Sequence, residues 1–188
     1  AAIMRFLKKT LLTSLFFIQL AGIATAEQTV FENFSNEADQ RWSYIADGVM
    51  GGISDGQAVF ERLEDKDVVR LTGEVSTKNN GGFIQVRRLL PSGLPINTTG
   101  LELDVKGNGE PYYVFIRTAE MNRPWYYYKA RFDTGSDWQT VAISLDNFER
   151  SHAHLKDKIK PSEIISIGIF AYGSDYQADI TVNEIRLF

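Results

Sequence analysis

The sequence predicts an all-β fold, a sandwich of short antiparallel strands, and three observations carry that expectation. Beyond its first 26 residues the chain is a succession of short alternating or β-branched runs. Turn-forming residues separate these runs, and no long segment shows helical periodicity. Residues 27–188 have the length of one domain with a full hydrophobic core and are too few for two comfortable ones. No Pro-rich or Gly/Ser-rich linker divides them, and no internal repeat is present.

The expected strands follow in order. Thr29 to Phe34 and Trp42 to Ala46 are short aromatic and β-branched runs, and Gln57 to Leu63 and Val68 to Val75 follow. Phe83 to Leu89 follows the pair Gly81-Gly82. In Gly100 to Lys106, Leu101, Leu103 and Val105 alternate with Glu102, Asp104 and Lys106, which gives one buried and one wet face. Tyr112 to Thr118 and Trp125 to Phe132 are aromatic-rich, and Trp138 to Leu145 repeats the alternation through Val141, Ile143 and Leu145. Ile164 to Tyr172 is a further expected strand. In Asp179 to Leu187, Ile180 and Val182 have one parity and Ile185 and Leu187 the other, which predicts a bulge near Asn183-Glu184. Short helical turns are expected at Asp146 to Arg150 and Pro161 to Glu163, and a loop from Ser151 to Lys160.

The first 26 residues read as a signal peptide with an upstream extension. Arg5, Lys8 and Lys9 precede the apolar run Leu11 to Ile18, and Ala24-Thr25-Ala26 offers a small-residue cleavage pattern, so cleavage is expected after Ala26. Met4 is the natural start, with Ala1 to Ile3 ahead of it. The run is interrupted by Thr13 and Ser14 and is short for a bilayer span, which makes a retained anchor the lesser alternative and predicts no stable membrane span after cleavage. The chain has no cysteine, which removes disulfides, cysteine-ligated metals and thiol nucleophiles. A leader with no cysteine favours a periplasmic or secreted destination over a eukaryotic secretory route. Taking the leader's three basic residues from 20 Lys+Arg leaves 17 against 24 Asp+Glu, a net charge of −7, which disfavours a nucleic-acid partner.

The densest signal is Asp47-Gly48-Val49-Met50-Gly51-Gly52-Ile53-Ser54-Asp55-Gly56, where four glycines mark a specifically shaped loop. It ends in no Gly-Lys-Ser/Thr and lacks Gly-x-Gly-x-x-Gly between a strand and a helix, so phosphate-loop and dinucleotide readings fall away. Asp47 and Ser54 either fasten their own turn or help to shape a recognition loop. Asp-Gly-Val-Met-Gly-Gly-x-Ser, together with Gly81-Gly82-Phe83, resembles the complex I intermediate-associated protein 30 family, over about Phe31 to Phe188. That resemblance implies a jelly-roll β-sandwich similar to galactose-binding domains, and a non-catalytic role in binding or assembly. Family members known as complex I assembly factors work inside mitochondria, so that role does not transfer to a chain that reads as exported.

The candidate ligand- or partner-binding residues are Asp47, Gly51, Gly52, Ser54, Gly81 and Gly82 from the glycine segments, with Phe83, Gln85, Arg87, Arg117, Trp125 and Tyr127 from three rows set out by strand alternation. Phe83, Gln85 and Arg87 form one row, Tyr113, Phe115 and Arg117 a second, and Trp125, Tyr127, Lys129 and Arg131 a third. Aromatics ending in cations are suited to stacking on sugar rings or anchoring a protein. The arginines converge on one face if their strands are neighbours; paired with surface carboxylates, they carry no such meaning.

No cofactor or metal site is expected. His152 and His154 lie on a charged loop, and Asp47, Asp55 and Asp179 are calcium candidates only by composition and by analogy with related jelly rolls. An enzyme is not expected either: only two histidines are available for a serine triad, no Gly-x-Ser-x-Gly elbow exists, and no pair of acids stands out. The leading reading is an exported, non-catalytic protein-binding assembly or folding factor with an unknown protein partner. The alternative is a carbohydrate-binding module with a glycan partner; a small hydrolase comes last.

Overall fold

In a computed structural model, residues 28–188 are described; the leader and its cleavage position lie outside them. The strands are β1 (Thr29–Glu32), β2 (Trp42–Ala46), β3 (Asp55–Leu63), β4 (Lys66–Val75), β5 (Phe83–Leu89), β6 (Gly100–Gly107), β7 (Tyr112–Thr118), β8 (Tyr128–Phe132), β9 (Gln139–Ser144), β10 (Glu149–Arg150), β11 (Ile164–Tyr172) and β12 (Tyr176–Leu187). One helical turn, α1 (Ala38–Arg41), precedes β2. None of the helices among the described residues is long and apolar enough to cross a membrane.

The strands form two antiparallel sheets. The first runs β3-β4-β12-β6-β9, and the second β10-β8-β7-β11-β5-β2. In the first sheet β12 is the organising strand: β4 pairs with Tyr176 to Val182, β1 takes over the same edge at Ile185 to Leu187, and β6 runs along the other edge. The expected bulge lies where β4 hands over to β1, as a register shift between Val182 and Glu184. It lets Ile180, Val182, Ile185 and Leu187 all face inward despite their opposite parities. These side chains meet Trp42, Ile84, Val86, Tyr112, Val114, Ile116, Ile167 and Ile169 from the second sheet in one core. Tyr112 keeps its hydroxyl satisfied there by donating to Asn108 and accepting from the Asp179 amide, and burial pushes its pKa up to about 12.

The structure differs from the sequence reading at one place that matters for the site. Trp125 to Tyr127 are not strand; β8 begins at Tyr128, and Trp125 sits in the preceding turn. Arg117 explains this locally: its Nε donates to the Tyr126 carbonyl at 3.1 Å, and its Nη2 to the Met121 and Arg123 carbonyls at 3.1 and 2.8 Å. The backbone amide of Tyr127 and the side chain of Ser151 add a further bond at 3.1 Å. With the carbonyls of Met121, Arg123 and Tyr126 turned toward one guanidinium, an aromatic run that alternates like a strand is held as a turn. The two-residue edge strand β10 also lies outside the expected set.

Candidate functional site

The glycine segments form a single device around Asp47. Its carboxylate is fully buried and accepts four bonds: from the Ser54 amide at 2.9 Å, the Ser54 hydroxyl at 2.5 Å, the Gly82 amide at 2.6 Å and the Phe83 amide at 3.2 Å. Ser54 Oγ in turn accepts from the Ser76 amide at 2.9 Å. Burial pushes the Asp47 carboxyl up, but the Ser54 hydroxyl and the three amides more than offset it, and the net shift is below the ordinary carboxylate value. A Cβ on Gly52 or on Gly81 would run into this carboxyl group. Asp47, Gly52, Ser54 and Gly81 thus act from beneath the surface, joining the start of β3 to the start of β5.

Gly51 has a different reason to be glycine, a φ of +88° with open space around it. Gly51→Asn is expected to cost under about 1 kcal/mol, because asparagine tolerates the left-handed region. Gly52→Ala is expected to cost about 3 kcal/mol by displacing the carboxylate. Urea melts of the two variants check the contrast; equal effects would remove the collision as its cause. What the fastened loop presents to solvent is apolar: Val49, Met50 and Ile53 are 75%, 56% and 52% exposed.

The arginine rows do meet, because β5 and β7 are separated by one strand, β11. Across the six strands of the second sheet, Ser43, Arg87, Gly168, Phe115, Lys129 and Glu149 stand in register. The next row is Ile45, Gln85, Phe170, Tyr113 and Arg131, and on the other side lie Leu89, Ser166 and Arg117. Residues in register share a face, here the outer one. Phe115 stacks between Phe170 at 3.9 Å and Tyr127 at 4.4 Å, Phe83 leans on Phe170 at 5.6 Å, and Tyr113 meets Tyr172 edge-on at 5.5 Å. The hydroxyls of Tyr127 and Tyr172 are hydrogen-bonded at 3.1 Å, and Lys129 Nζ lies 5.3 Å from the Tyr172 ring. Burial and the Tyr172 hydroxyl raise the pKa of Tyr127, keeping it a neutral phenol. A Cβ on Gly168 would strike the Phe170 ring, so this glycine is what lets Phe170 lie across to Phe115.

Trp125 is 50% exposed and separate from this cluster; Arg123 covers it at 5.8 Å. Tyr127, which the sequence placed beside it in one row, is half-buried in the aromatic face. Tyr126 takes the core side and touches His152 and His154 at 4.8 and 4.7 Å. Alternation missed Phe170, Tyr172 and Gly168, because the run Ile164 to Tyr172 is apolar on both faces. Among the described residues no group of three or more His, Asp or Glu is arranged to hold a metal ion.

Two antiparallel sheets over one core, with an aromatic and cationic outer face, define a galactose-binding-like jelly-roll domain. Residues 31–181 match Complex I intermediate-associated protein 30, and the chain belongs to that family. Solved structures show the same fold at low identity. A family 11 carbohydrate-binding module from Clostridium thermocellum, in complex with a beta-1,3-1,4-mixed-linked tetrasaccharide, superposes with a TM-score of 0.71 at 15% identity, covering 86% of this chain and 95% of that one. The family 11 module of the cellulosomal cellulase Lic26A-Cel5E of Clostridium thermocellum gives 0.72 at 13% identity, covering 88% and 96%. An agarase, AgWH50C, gives 0.57 at 12% identity over 85% of this chain and 24% of its own. No curated protein matches the chain.

Proposed function

We propose that this chain is an exported, non-catalytic binding protein that takes a saccharide chain across the outer face of its second sheet. One observation carries the reading: the partly exposed rings of Phe83, Tyr113, Tyr127 and Tyr172 surround the buried rings of Phe115 and Phe170 in one aromatic cluster, flanked by Arg87 and Lys129, neither of which is paired with a carboxylate among the described residues. Apolar sugar faces pack on aromatic rings, while sugar hydroxyls meet donors and acceptors at their edges. The likeness to carbohydrate-binding modules supports the same reading through the fold alone. Removal of the leader after Ala26 and delivery to the periplasm or beyond belong to this proposal.

Binding of the mature protein to a polysaccharide panel by affinity electrophoresis tests it. Tyr172→Ala is expected to weaken retardation about tenfold, the equivalent of one lost aromatic contact, and Trp125→Ala to weaken it less. Absence of retardation by every polysaccharide would reject the glycan reading. The second reading, a protein-binding assembly factor, is favoured by family membership and by Val49, Met50 and Ile53, which the buried Asp47 holds out in solvent. Saturable capture of one envelope protein, lost in Met50→Asp, would favour it.

A further inference from the structure

The cations of this protein are divided between two faces. On the outside of the first sheet Arg186 is paired with Glu102, Asp104 and Glu184, and Arg70 with Asp179. On the outside of the second sheet Arg131 is paired with Asp133, but among the described residues no carboxylate lies within 4.0 Å of Arg87, Arg117 or Lys129. Glu149 stands in register with Lys129 at the far edge, and Arg117 spends its bonds on neutral carbonyls. Arg87 donates no hydrogen bond among the described residues, although it is half-buried. Burial lowers the pKa of both arginines, and the charge of Arg87 adds to the effect at Arg117. A desolvated guanidinium with no counter-ion is costly, and an acidic chain has carboxylates to spare for it.

The two arginines flank β11. Leu89, Ser166 and Arg117 form one row, Arg87, Gly168 and Phe115 the next, and strands two places apart lie about 10 Å from each other. Arg117 is committed to the carbonyls of Met121, Arg123 and Tyr126, so Arg87 is the guanidinium left to meet an anion. Beside them Gln85 is only 5% exposed, and its Oε1 has no hydrogen-bond partner. An open hollow of about 330 Å³, lined by Gln40, Arg41, Ser43, Arg87, Arg88 and Leu89, adjoins this end. Arg41 and Arg88 there share the carboxylate of Glu32, which leaves Arg87 as the cation of the hollow without a partner.

We propose that Arg87 receives the carboxylate of a uronate residue, so that the glycan bound on this face is an acidic one. This rests on the saccharide reading above and narrows it. The aromatic rings take the apolar faces of the chain, and Arg87 offers its planar fork to the carboxylate. A neutral sugar would satisfy the rings and leave the guanidinium unpaired.

Titration calorimetry of the mature protein with hexamers of galacturonate, mannuronate and guluronate, each as the free acid and as its methyl ester, tests the assignment. At least one free acid is expected to bind roughly tenfold or more tightly than its ester, with the difference shrinking as salt rises. Arg87→Gln is expected to erase that difference without lowering the melting temperature, because it removes an unpaired desolvated charge; a merely structural arginine would show the reverse. Equal affinity for acid and ester overturns the uronate assignment and leaves the saccharide reading standing. Tighter binding of a sulfated galactan hexamer than of any uronate overturns it in favour of a sulfate ester. If no hexamer binds while a neutral polysaccharide is retarded in affinity electrophoresis, the uronate assignment alone falls; if neither binds, both fall together.

Discussion

Asp47→Ala is expected to lower the stability of the domain by about 3–5 kcal/mol, a drop in melting temperature of roughly 10 °C. The substitution orphans the Ser54, Gly82 and Phe83 amides and opens a void where Gly52 and Gly81 close on the carboxyl. Asp47→Asn keeps the shape but brings two amide hydrogens to a site ringed by donors, so it should recover little. The same bonds set a pH dependence. The folded pKa of Asp47 lies below its ordinary value, so its contribution is fully present above the unfolded pKa of about 3.9 and is lost as pH falls through the folded value. The stability gap between wild type and Asp47→Asn should therefore be constant from pH 7 to pH 5 and close below pH 4. A gap that stays constant down to pH 3 would show that the carboxylate's charge is not what holds the loop.

The Asp47 hub also shows where reading the sequence succeeds and where it stops. Glycine density identified the loop, and the local bond from the Ser54 amide to Asp47 is of the kind turn residues make. The bonds from Gly82 and Phe83 come from 35 and 36 residues away, and no local pattern announces a partner at that distance. Strands with one wet face, such as β6, were legible because polar and apolar residues alternate in them, and the parity break in β12 announced its bulge. β11 was legible as a strand but not as part of the site. Phe170 and Tyr172 belong to an apolar run, so their placement on the outer face depends on which strands flank β11, and that is a property of topology. Trp125 misled for a related reason: aromatic alternation looks the same in a strand and in a turn clasped by an arginine of the preceding strand.

The rigid rim and the binding face are coupled through Phe83. Its amide bonds Asp47, while its ring leans on Phe170. Loosening the glycine loop should therefore disorder the Phe83 edge of the aromatic surface before the Arg87 edge, which hangs from β2 and β5. Stability at one end and recognition at the other are thus separable by mutation.

Glu32→Ala is the second large expected effect, about 3–5 kcal/mol of stability. Glu32 is 3% exposed and gathers Arg41 at 2.8 Å, Arg88 at 2.7 Å, the Trp42 indole at 2.8 Å and the Phe34 amide at 2.8 Å. Burial raises its pKa, but the bonds from Arg41, Trp42 and Phe34 more than offset this, and the net shift is downward. Alanine would orphan a buried indole N–H and leave two guanidinium groups without a counter-ion, a larger cost than the pair is worth in itself. Leucine at both 32 and 88 should recover part of the loss by removing one stranded guanidinium and filling the space, while the Trp42 N–H and Arg41 stay without their acceptor. The same substitution has a functional edge. Freed of Glu32, Arg41 and Arg88 add their charge to the hollow that Arg87 lines, so Glu32→Ala, measured at a temperature where it remains folded, should bind polyanions more tightly and with less discrimination between uronates and sulfate esters. Urea melts and heparin retention of Glu32→Ala decide the matter: a loss under 1 kcal/mol would deny Glu32 its role as a hub, and unchanged heparin retention would deny that it shields the hollow.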